Sequence, residues 1–387
     1  MSQMKLSDAA FPTGETLHTN REILDQPALW KTTEEKFWGE SGRLRPFFEQ
    51  ALEQADQVIL TGAGTSSFIG LSLLGTYFSR TGKIVRALST TDLVSHPRDY
   101  FNAGQAPLII SFARSGNSPE SCASLQLADQ LCGKCFHLII TCSEDGELAH
   151  YQSPNPTFVF VLPPEANDKG LAMTGSYTSM LLTALLLAHA AEKEFCRTQV
   201  RLLTAAAEKI LTYGQDIISQ VAEKKFNRAV FLGSGPLFGT ASEAALKLQE
   251  LTDGQIVCKS DSFLGFRHGP KAVVDNSTLV VYFFSSDPYV RQYEMDLLHA
   301  MKTGNSALFH LAIAEDEIDD PCIDAAISMS TGSGALAESF MTVCGILPAQ
   351  LLALFKSIGL GLMPDNPSVN GAISRVVEGV KIYSLTI

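Results

Sequence analysis

Short, uninterrupted apolar runs recur along the chain, and each is followed by a longer segment with helical spacing of its apolar residues. The runs are rich in Val, Ile, Leu and Phe and end in Gly, Ser or Thr, as at 58–64 and 108–115. Runs without polar alternation are typical of strands buried on both faces, and their alternation with helices indicates parallel βαβ units. We therefore predict an α/β protein with doubly wound parallel sheets flanked by helices. The predicted helices are Thr65–Arg80, Pro119–Cys132, Thr240–Leu251 and Tyr289–Met301.

The apolar runs form an internal repeat with a spacing of about 171 residues. Residues 58–64 match 229–235, which aligns Gly62 with Gly233, and residues 108–115 match 279–286, which aligns Ser115 with Ser286. Residues 136–140 match 307–312 at about the same spacing. Three matches in one order predict a duplicated domain.

The repeat divides the chain into three predicted parts. They are an N-terminal helical arm at 1–45, a first domain at 46–212, and a second domain with a C-terminal tail at 213–387. The segment 170–211 is rich in Ala and Leu and predicts helices that link the two halves. Trp30 and Trp38 predict an arm that packs on the domain or on a partner.

Charge and hydropathy exclude several function classes. A net charge of −12 over 387 residues argues against a broad electrostatic footprint for nucleic acid or anionic lipid. Residues 1–11 lack the apolar core of a signal peptide. We expect no membrane span, because the stretch 180–191 is too short and the stretch 345–363 contains Pro348 and Lys356.

The cysteine pattern indicates reduced thiols and a cytoplasmic location. Eight cysteines are scattered without the spacing of a secreted disulfide framework. Cys132 and Cys135 form a lone CxxC, and without a second pair it is better explained by partly buried thiols than by a metal or redox site.

Two polar loops follow buried strands in the first half and offer groups that bind phosphate. In the loop at 62–67 Gly64 lets the backbone approach a ligand, and Thr65, Ser66 and Ser67 supply hydroxyls at a helix N-terminus. The loop at 114–120 repeats this arrangement; its candidate ligand-binding residues are Arg114, Ser115, Asn117 and Ser118. The alternative is a pair of ordinary capped turns of a dinucleotide-fold protein. A dinucleotide site itself is less favoured, because the GxGxxG spacing and its acidic partner are missing.

The second half contributes candidate acid–base groups. Glu243, Lys247 and Glu250 are spaced i, i+4 and i+7 on a predicted helix, so they share one face. His268 lies in a turn bounded by glycine and proline, and Arg375 lies near the C-terminus. The alternatives are a solvated ion-pair stripe, an exposed histidine and a plain tail.

In combination, these motifs resemble the SIS (sugar isomerase) family of phosphosugar isomerases. The resemblance extends from about residue 50 to the C-terminus and implies two tandem SIS domains. The motifs that carry it are G-A-G-T-S at 62–66, S-F-A-R-S-G-N-S at 111–118, E-x-x-x-K-x-x-E at 243–250 and R-H-G-P at 267–270.

The resemblance implies a role for each residue that falls on a family motif. Ser66, Ser115 and Ser118 would hold the sugar phosphate, and Glu250 would move a proton between C1 and C2. Lys247 would stabilise the developing oxyanion. His268 would assist ring opening in the site of a neighbouring subunit, which implies a homodimer or larger homo-oligomer. Arg375 would stand where the family has a C-terminal lysine.

Within the family, the chain is most similar to galactosamine-6-phosphate deaminase/isomerases, which implies conversion of galactosamine 6-phosphate to tagatose 6-phosphate and ammonia. This chemistry needs no cofactor or metal. Alternatives are a glucosamine-6-phosphate deaminase, a plain aldose–ketose isomerase and a sugar-phosphate-sensing regulator, although residues 1–50 are too short for the regulator's basic module. A glucosamine-6-phosphate synthase is not expected, because residue 2 is Ser rather than its nucleophilic cysteine.

Overall fold

The computed structural model describes residues 17–301, 306–377 and 379–385. The prediction about a signal peptide concerns residues 1–11, which lie outside the described residues. The strands are β1 Gln57–Gly62, β2 Ile84–Ser89, β3 Leu108–Ala113, β4 Phe136–Thr141, β5 Thr157–Val161, β6 Arg228–Gly233, β7 Val257–Asp261, β8 Thr278–Phe283, β9 Phe309–Ala314 and β10 Ala325–Ser328. The helices are α1 His18–Leu24, α2 Gln26–Gln54, α3 Thr65–Thr81, α4 Thr90–Ser95, α5 Pro119–Leu131, α6 Gly175–Ala188, α7 Lys193–Lys209, α8 Gln215–Ala222, α9 Pro236–Leu251, α10 Phe263–Phe266, α11 Pro288–Met301, α12 Glu338–Cys344 and α13 Leu347–Gly359.

In the described part of the chain the strands form two parallel sheets of five strands each. The first has the order β2-β1-β3-β4-β5 and the second the order β7-β6-β8-β9-β10, so the topology of one half repeats in the other. The central strands β1, β3, β4 and β8 are buried along their whole length, as their uninterrupted apolar sequences require. The predicted α/β class with two doubly wound sheets is confirmed.

The strand registers repeat as well. Val58 pairs with Leu108 in the first sheet, and Ala229 pairs with Leu279 in the second, which keeps the spacing of 171 residues for both strands. The third sequence match has a different spacing in the structure. Phe136 occupies the place of Phe309, a spacing of 173, because Leu279 and its partner Phe309 are 30 positions apart, whereas Leu108 and its partner Phe136 are 28 apart.

Glycines at the ends of β1 and β6 fix the same strand-to-helix turn in both halves. A Cβ on Gly62 would lie 2.6 Å from the Ser66 carbonyl carbon, and one on Gly233 would lie 2.6 Å from the Leu237 carbonyl carbon. Gly64 has φ 54° and ψ −126°, and Gly235 has φ 53° and ψ −126°, a conformation that only glycine adopts without strain. For this reason α9 begins at Pro236, directly after the turn, rather than at the predicted Thr240.

Helices α3 and α9, one from each half, pack closely against one another. Their contact centres on Gly239, where a Cβ would lie 2.7 Å from the Phe68 carbonyl oxygen and closer still to Ser72 Oγ. A glycine is therefore required for this helix approach.

The N-terminal arm packs on helices from both halves of its own chain. Trp30 Nε1 donates to Thr178 Oγ1 on α6 at 3.0 Å, and Gln26 Nε2 donates to Gln350 Oε1 on α13 at 2.7 Å. Asp365 caps α1 by accepting from the Thr19 N–H at 2.7 Å. Helix α2 is continuous across residues 45 and 46, and the predicted domain bounds 1–45, 46–212 and 213–387 stay predictions.

One stretch, 338–359, is long and apolar enough to cross a membrane by length and composition alone. Of its most apolar window, 89% is buried inside the protein, as in the core helices of a globular fold. The stretch also divides into α12 and α13, which pack in the centre of the molecule.

Candidate active site

A pocket of about 560 Å³ opens at the carboxyl ends of the first sheet's strands. Four parts of the chain form most of its wall: the loop after β1, the loop after β3, the end of α9 from the second half, and the C-terminal strap, residues 371–377. Ligands bind at this edge of doubly wound sheets because the strand–turn–helix loops present N–H groups there. Nine predicted site residues line the pocket: Gly64, Thr65, Ser66, Arg114, Ser115, Ser118, Lys247, Glu250 and Arg375.

The β1 loop, residues 63–67, places two hydroxyl side chains at the N-terminus of α3. Thr65 and Ser66 are both buried at the pocket wall. Ser67, which was also predicted to bind the ligand, points back instead, because its Oγ donates to the Gly64 carbonyl at 2.7 Å. The first turn of α3 thus offers the positive end of a helix dipole to the pocket.

The β3 loop, residues 114–118, presents backbone N–H groups that the protein does not use. Among the described residues, the N–H groups of Ser115, Gly116 and Ser118 have no protein acceptor. Gly116 adopts φ 69°, which turns the loop toward α5. Asn117 takes a structural part outside the pocket, since its Oδ1 accepts from the Glu147 N–H at 2.9 Å. Convergent N–H groups ahead of a helix N-terminus are a typical oxyanion site.

The face of α9 brings a cation and two carboxylates together. Lys247 is buried, and its ammonium donates to Glu250 Oε2 and lies 3.5 Å from Glu243 Oε1. Burial alone would lower the pKa of Lys247, but the charges of Glu243 and Glu250 outweigh it and raise that pKa above its ordinary value. Lys247 therefore stays charged. Glu250 is 23% exposed and faces the pocket, where a substrate can reach it.

Glu243 lies one turn deeper and does not line the pocket. It is fully buried, and no hydrogen bond reaches either of its oxygens from the described residues. Burial raises its pKa to about 8, an effect that the Lys247 charge opposes and the Glu250 charge reinforces. Burial thus favours the protonated form of Glu243, and the ion pair that faces the pocket is Lys247 with Glu250.

Known proteins resemble this chain over almost its full length. The SIS domain family model matches residues 51–190. The D-galactosamine-6-phosphate deaminase AgaS of Shewanella sp. (strain ANA-3) is 41% identical over 94% of this chain and 91% of its own length. AgaS of Escherichia coli O157:H7 is 41% identical over 97% of both chains. The crystal structure of tagatose-6-phosphate ketose/aldose isomerase from Escherichia coli has a TM-score of 0.85 at 36% identity and covers 97% of this chain and 99% of that one.

The chain belongs to the AgaS family of SIS-domain proteins. The predicted recognition is thereby confirmed. The family model covers the first half, and the second half repeats its sheet order strand for strand.

In this AgaS-family chain, both predicted arginines are engaged with the protein's own backbone. Arg114 is buried and donates to the Leu171 carbonyl at 3.0 Å and to the Arg375 carbonyl. Burial, and then the charge of Arg375, lower the pKa of Arg114. The Arg375 guanidinium donates to Asn167 Oδ1 at 2.8 Å and to the Asp168 carbonyl. The two side chains tie the C-terminal strap to the loop before α6 and so fix the shape of the pocket wall that they line.

His268 does not line this pocket. It is exposed in the turn between α10 and the short helix Pro270–Val273, where Gly269 has φ 112°. The single chain therefore brings together the predicted phosphate-binding loops and the acid–base pair, and leaves His268 on its surface.

Several pocket residues were not predicted. Thr91 follows β2, and its position after the end of a parallel strand could have marked it as a candidate site residue. Leu171 and Met173 come from the loop before α6, where the sequence has no motif that marks a site.

A separate cluster surrounds Cys135 at the opposite edge of the first sheet. Asp129 Oδ1 lies 2.8 Å from His137 Nε2 and 3.3 Å from Cys135 Sγ. The same carboxylate also accepts from Tyr151 at 2.6 Å and from Asn155 at 2.9 Å. Although burial alone would raise the pKa of Asp129, these hydrogen bonds hold it well below its usual range. The carboxylate is saturated with donors and fastens α5 to the loop before β5.

The raised pKa of Glu243 predicts a pH-dependent stability. Because this pKa rises from 4.5 to about 8 on folding, the free energy of unfolding contributed by Glu243 falls as the pH rises through that window. Glu243→Gln stays neutral at every pH and should remove the fall. We expect the variant to gain on the order of 2 kcal/mol relative to wild type between pH 5 and pH 8, measured by urea unfolding at each pH.

The exposed carboxylate of Glu223 supplies the control. Glu223→Gln should follow the wild-type pH dependence. Parallel curves for wild type and Glu243→Gln would contradict a raised pKa of the carboxyl group at this position.

Proposed function

We propose that this chain is a galactosamine-6-phosphate deaminase/isomerase that converts galactosamine 6-phosphate and water to tagatose 6-phosphate and ammonia. One observation carries the proposal: a single pocket holds N–H groups without protein acceptors on one wall and the Lys247–Glu250 pair on the other. The names of the relatives that match nearly the whole chain support the choice of substrate.

The first step is the binding of the 6-phosphate by the β1 and β3 loops. The N–H groups of Ser115, Gly116 and Ser118 and the hydroxyl of Ser66 supply donors at the N-termini of α3 and α5. The net charge of −12 does not oppose this step, because the local donors act at short range. A phosphate held at this wall positions the open sugar chain across the pocket.

The second step is a proton transfer between C2 and C1. Glu250 removes the C2 proton of the open-chain amino aldose and delivers it to C1 through an enaminol, while O1 gains a proton and the nitrogen loses one, which leaves a hydroxyl at C1 and an imine at C2. Negative charge builds on O1 during this transfer, and the Lys247 ammonium stabilises it. The ion pair with Lys247 also holds the Glu250 side chain in place.

The third step is hydrolysis of the imine. Water adds to C2, the C–N bond breaks, and ammonia leaves, so that the carbonyl of the ketose 6-phosphate forms at C2. Water is the solvent and free ammonia is dilute, which favours this direction. None of these steps requires a cofactor.

We also propose that the active form is a homo-oligomer in which a neighbouring subunit supplies His268. Ring opening needs a group that transfers protons near neutral pH, and histidine does so. His268 is exposed and absent from the pocket of its own chain, which fits a role in another subunit's pocket. We propose a cytoplasmic location, supported by eight cysteines that are all free.

A second candidate is plain aldose–ketose isomerisation, without loss of an amine. The solved Escherichia coli structure at 36% identity carries the name of that activity. The same Glu250 and Lys247 would serve it, because the proton transfer between C2 and C1 is the same and passes through an enediol that gives the ketose directly.

The reaction is tested by measuring ammonia and ketose on the same samples. Galactosamine 6-phosphate should give both products in equal amounts, and glucosamine 6-phosphate should be slower. Unphosphorylated galactosamine should be a very poor substrate, because it loses the contacts with the β3 loop. N-acetylgalactosamine 6-phosphate should not react, because an amide nitrogen does not form the imine that water attacks. Ketose from an aldose 6-phosphate, with no ammonia from any hexosamine 6-phosphate, would favour the isomerase instead.

Glu250→Gln tests the proton transfer. The variant keeps the shape of the side chain and loses its basicity, so turnover should fall by at least about a thousandfold, or about 4 kcal/mol of barrier. Substrate binding, followed by calorimetry, should persist through the phosphate contacts. Glu223→Gln should match wild type, and a Glu250→Gln variant with a tenth of wild-type turnover would exclude Glu250 as the base.

Subunit mixing tests the shared site. His268→Ala and Glu250→Gln should each be inactive, and a mixture that exchanges subunits should regain activity, because some of its pockets combine an intact Glu250 with an intact His268. The measurement is ammonia release before and after exchange. Wild-type activity in a dilute sample shown to be monomeric would rule out sharing.

A further inference from the structure

The loop after β8, residues 284–287, occupies in the second half the place of the β3 loop in the first. Strands β3 and β8 stand at the centre of their sheets, and the helices that follow them, α5 and α11, both begin with a proline, Pro119 and Pro288. The β8 loop contains four residues and the β3 loop five. Both loops therefore direct N–H groups to the carboxyl edge of a sheet, ahead of a long helix.

The donors of the β8 loop are already bound to a carboxylate. The Ser286 N–H donates to Glu338 Oε2 at 2.8 Å, and the hydroxyl of Ser285 donates to the same oxygen. The Ser286 hydroxyl adds a contact of 3.3 Å, and the Asp287 N–H one of 3.4 Å. Glu338 comes from the first turn of α12, some fifty residues along the chain. A backbone-and-hydroxyl cradle thus holds a negative oxygen, the same chemistry that the β3 loop offers to a phosphate.

A second carboxylate lies beneath the β8 loop. Glu294 on α11 is fully buried, and its Oε2 accepts from the Ser285 N–H at 2.8 Å. Counted from the two helix-starting prolines, its counterpart in the first half is Leu125, an apolar core residue. Burial, with a smaller contribution from the nearby charge of Glu338, raises the pKa of Glu294 to about 7.

The other charged groups at this loop are Arg291, Asp316 and Asp287. Arg291 Nε donates to the Ser285 carbonyl at 2.7 Å, and its guanidinium pairs with Asp316 at 2.9 Å. Asp287 caps α11 by accepting from the Tyr289 N–H at 2.8 Å. A cation beside the N–H groups adds to their attraction for an anion.

We propose that the β8 loop is a second oxyanion cradle whose resident anion is the carboxylate of Glu338, so that each chain binds one sugar phosphate, in the first half. Removal of that carboxylate opens the cradle to a tetrahedral oxyanion such as sulfate. The inference rests on the proposed function in one respect, namely that the β3 loop binds the 6-phosphate. It extends that function by stating why the duplicated fold has a single substrate site.

An intramolecular carboxylate excludes a free anion effectively. Glu338 is fixed by α12, which packs in the core, so its effective concentration at the loop is far higher than that of a metabolite. The half-exposed position of the loop would otherwise leave it accessible to phosphates from solution.

The test compares the thermal response to sulfate of wild type and Glu338→Ala. Sulfate keeps its charge between pH 6 and pH 8, so any pH dependence belongs to the protein. At 50 mM sulfate and pH 6 we expect Tm to rise by at least about 2 °C more in the variant than in wild type. At pH 8 the extra rise in Tm of Glu338→Ala should shrink, because ionised Glu294 repels the anion. The double variant Glu338→Ala/Glu294→Leu should keep the extra rise at both pH 6 and pH 8.

Equal responses of wild type and Glu338→Ala at pH 6 would overturn the proposal. Glu338→Gln, which keeps the shape of the side chain without its charge, supplies the same comparison where the alanine variant does not fold. Turnover of galactosamine 6-phosphate by Glu338→Ala should equal that of wild type, since Glu338 lies outside the pocket. Absence of ammonia release by wild type would refute the proposed function and leave the sulfate comparison valid, so the two failures are distinct.

Discussion

The close approach of α3 and α9 is the contact on which the candidate site depends. The first half supplies the phosphate-binding loops and the second half supplies Lys247 and Glu250, and neither set forms the pocket alone. Gly239 lets the two helices approach so closely that a Cβ there would lie 2.7 Å from the Phe68 carbonyl oxygen of α3. A wider separation would move the end of α9 away from the loops and divide the pocket. The candidate site thus lies at the interface between the duplicated halves.

This arrangement confines charge to an apolar interior. Moving an ion from water into a protein core costs several kcal/mol unless a partner compensates for it. The α9 face limits that cost, because Lys247 pairs with Glu250 and burial favours the uncharged form of Glu243. Glu250 stays partly exposed, and the proposed function requires this exposure because a fully buried base could not reach a sugar.

The elements of the fold could be predicted because their signals are local. Apolar runs without alternation, the repeat spacing and the glycines at 62 and 233 marked the strands, the duplication and the turns. Helical periodicity also placed Glu243, Lys247 and Glu250 on one face, though it could not tell which would be buried. Which of the three side chains is buried depends on where α3 and α6 lie, and no local sequence pattern indicates those positions.

Other parts of the site depend on segments that meet only in three dimensions. Arg114 looked like a phosphate ligand beside Ser115, but its guanidinium donates to carbonyls near residues 171 and 375. Ser67 and Asn117 have the right residue types and are turned to backbone partners. The engagement of Glu338 with the β8 loop was equally invisible, because no pattern links residues fifty positions apart.

The contacts between the two chain ends have a consequence for synthesis on the ribosome. The cap of α1 is Asp365, and Gln26 is bonded to Gln350, so the arm is fastened by residues that are made more than 300 positions after it. At 5–20 residues per second the arm waits roughly 15 to 70 seconds for these partners. The first sheet can assemble during that interval, but the strap that completes its pocket follows later still. The pocket can therefore close only after residues 371–377 have been made.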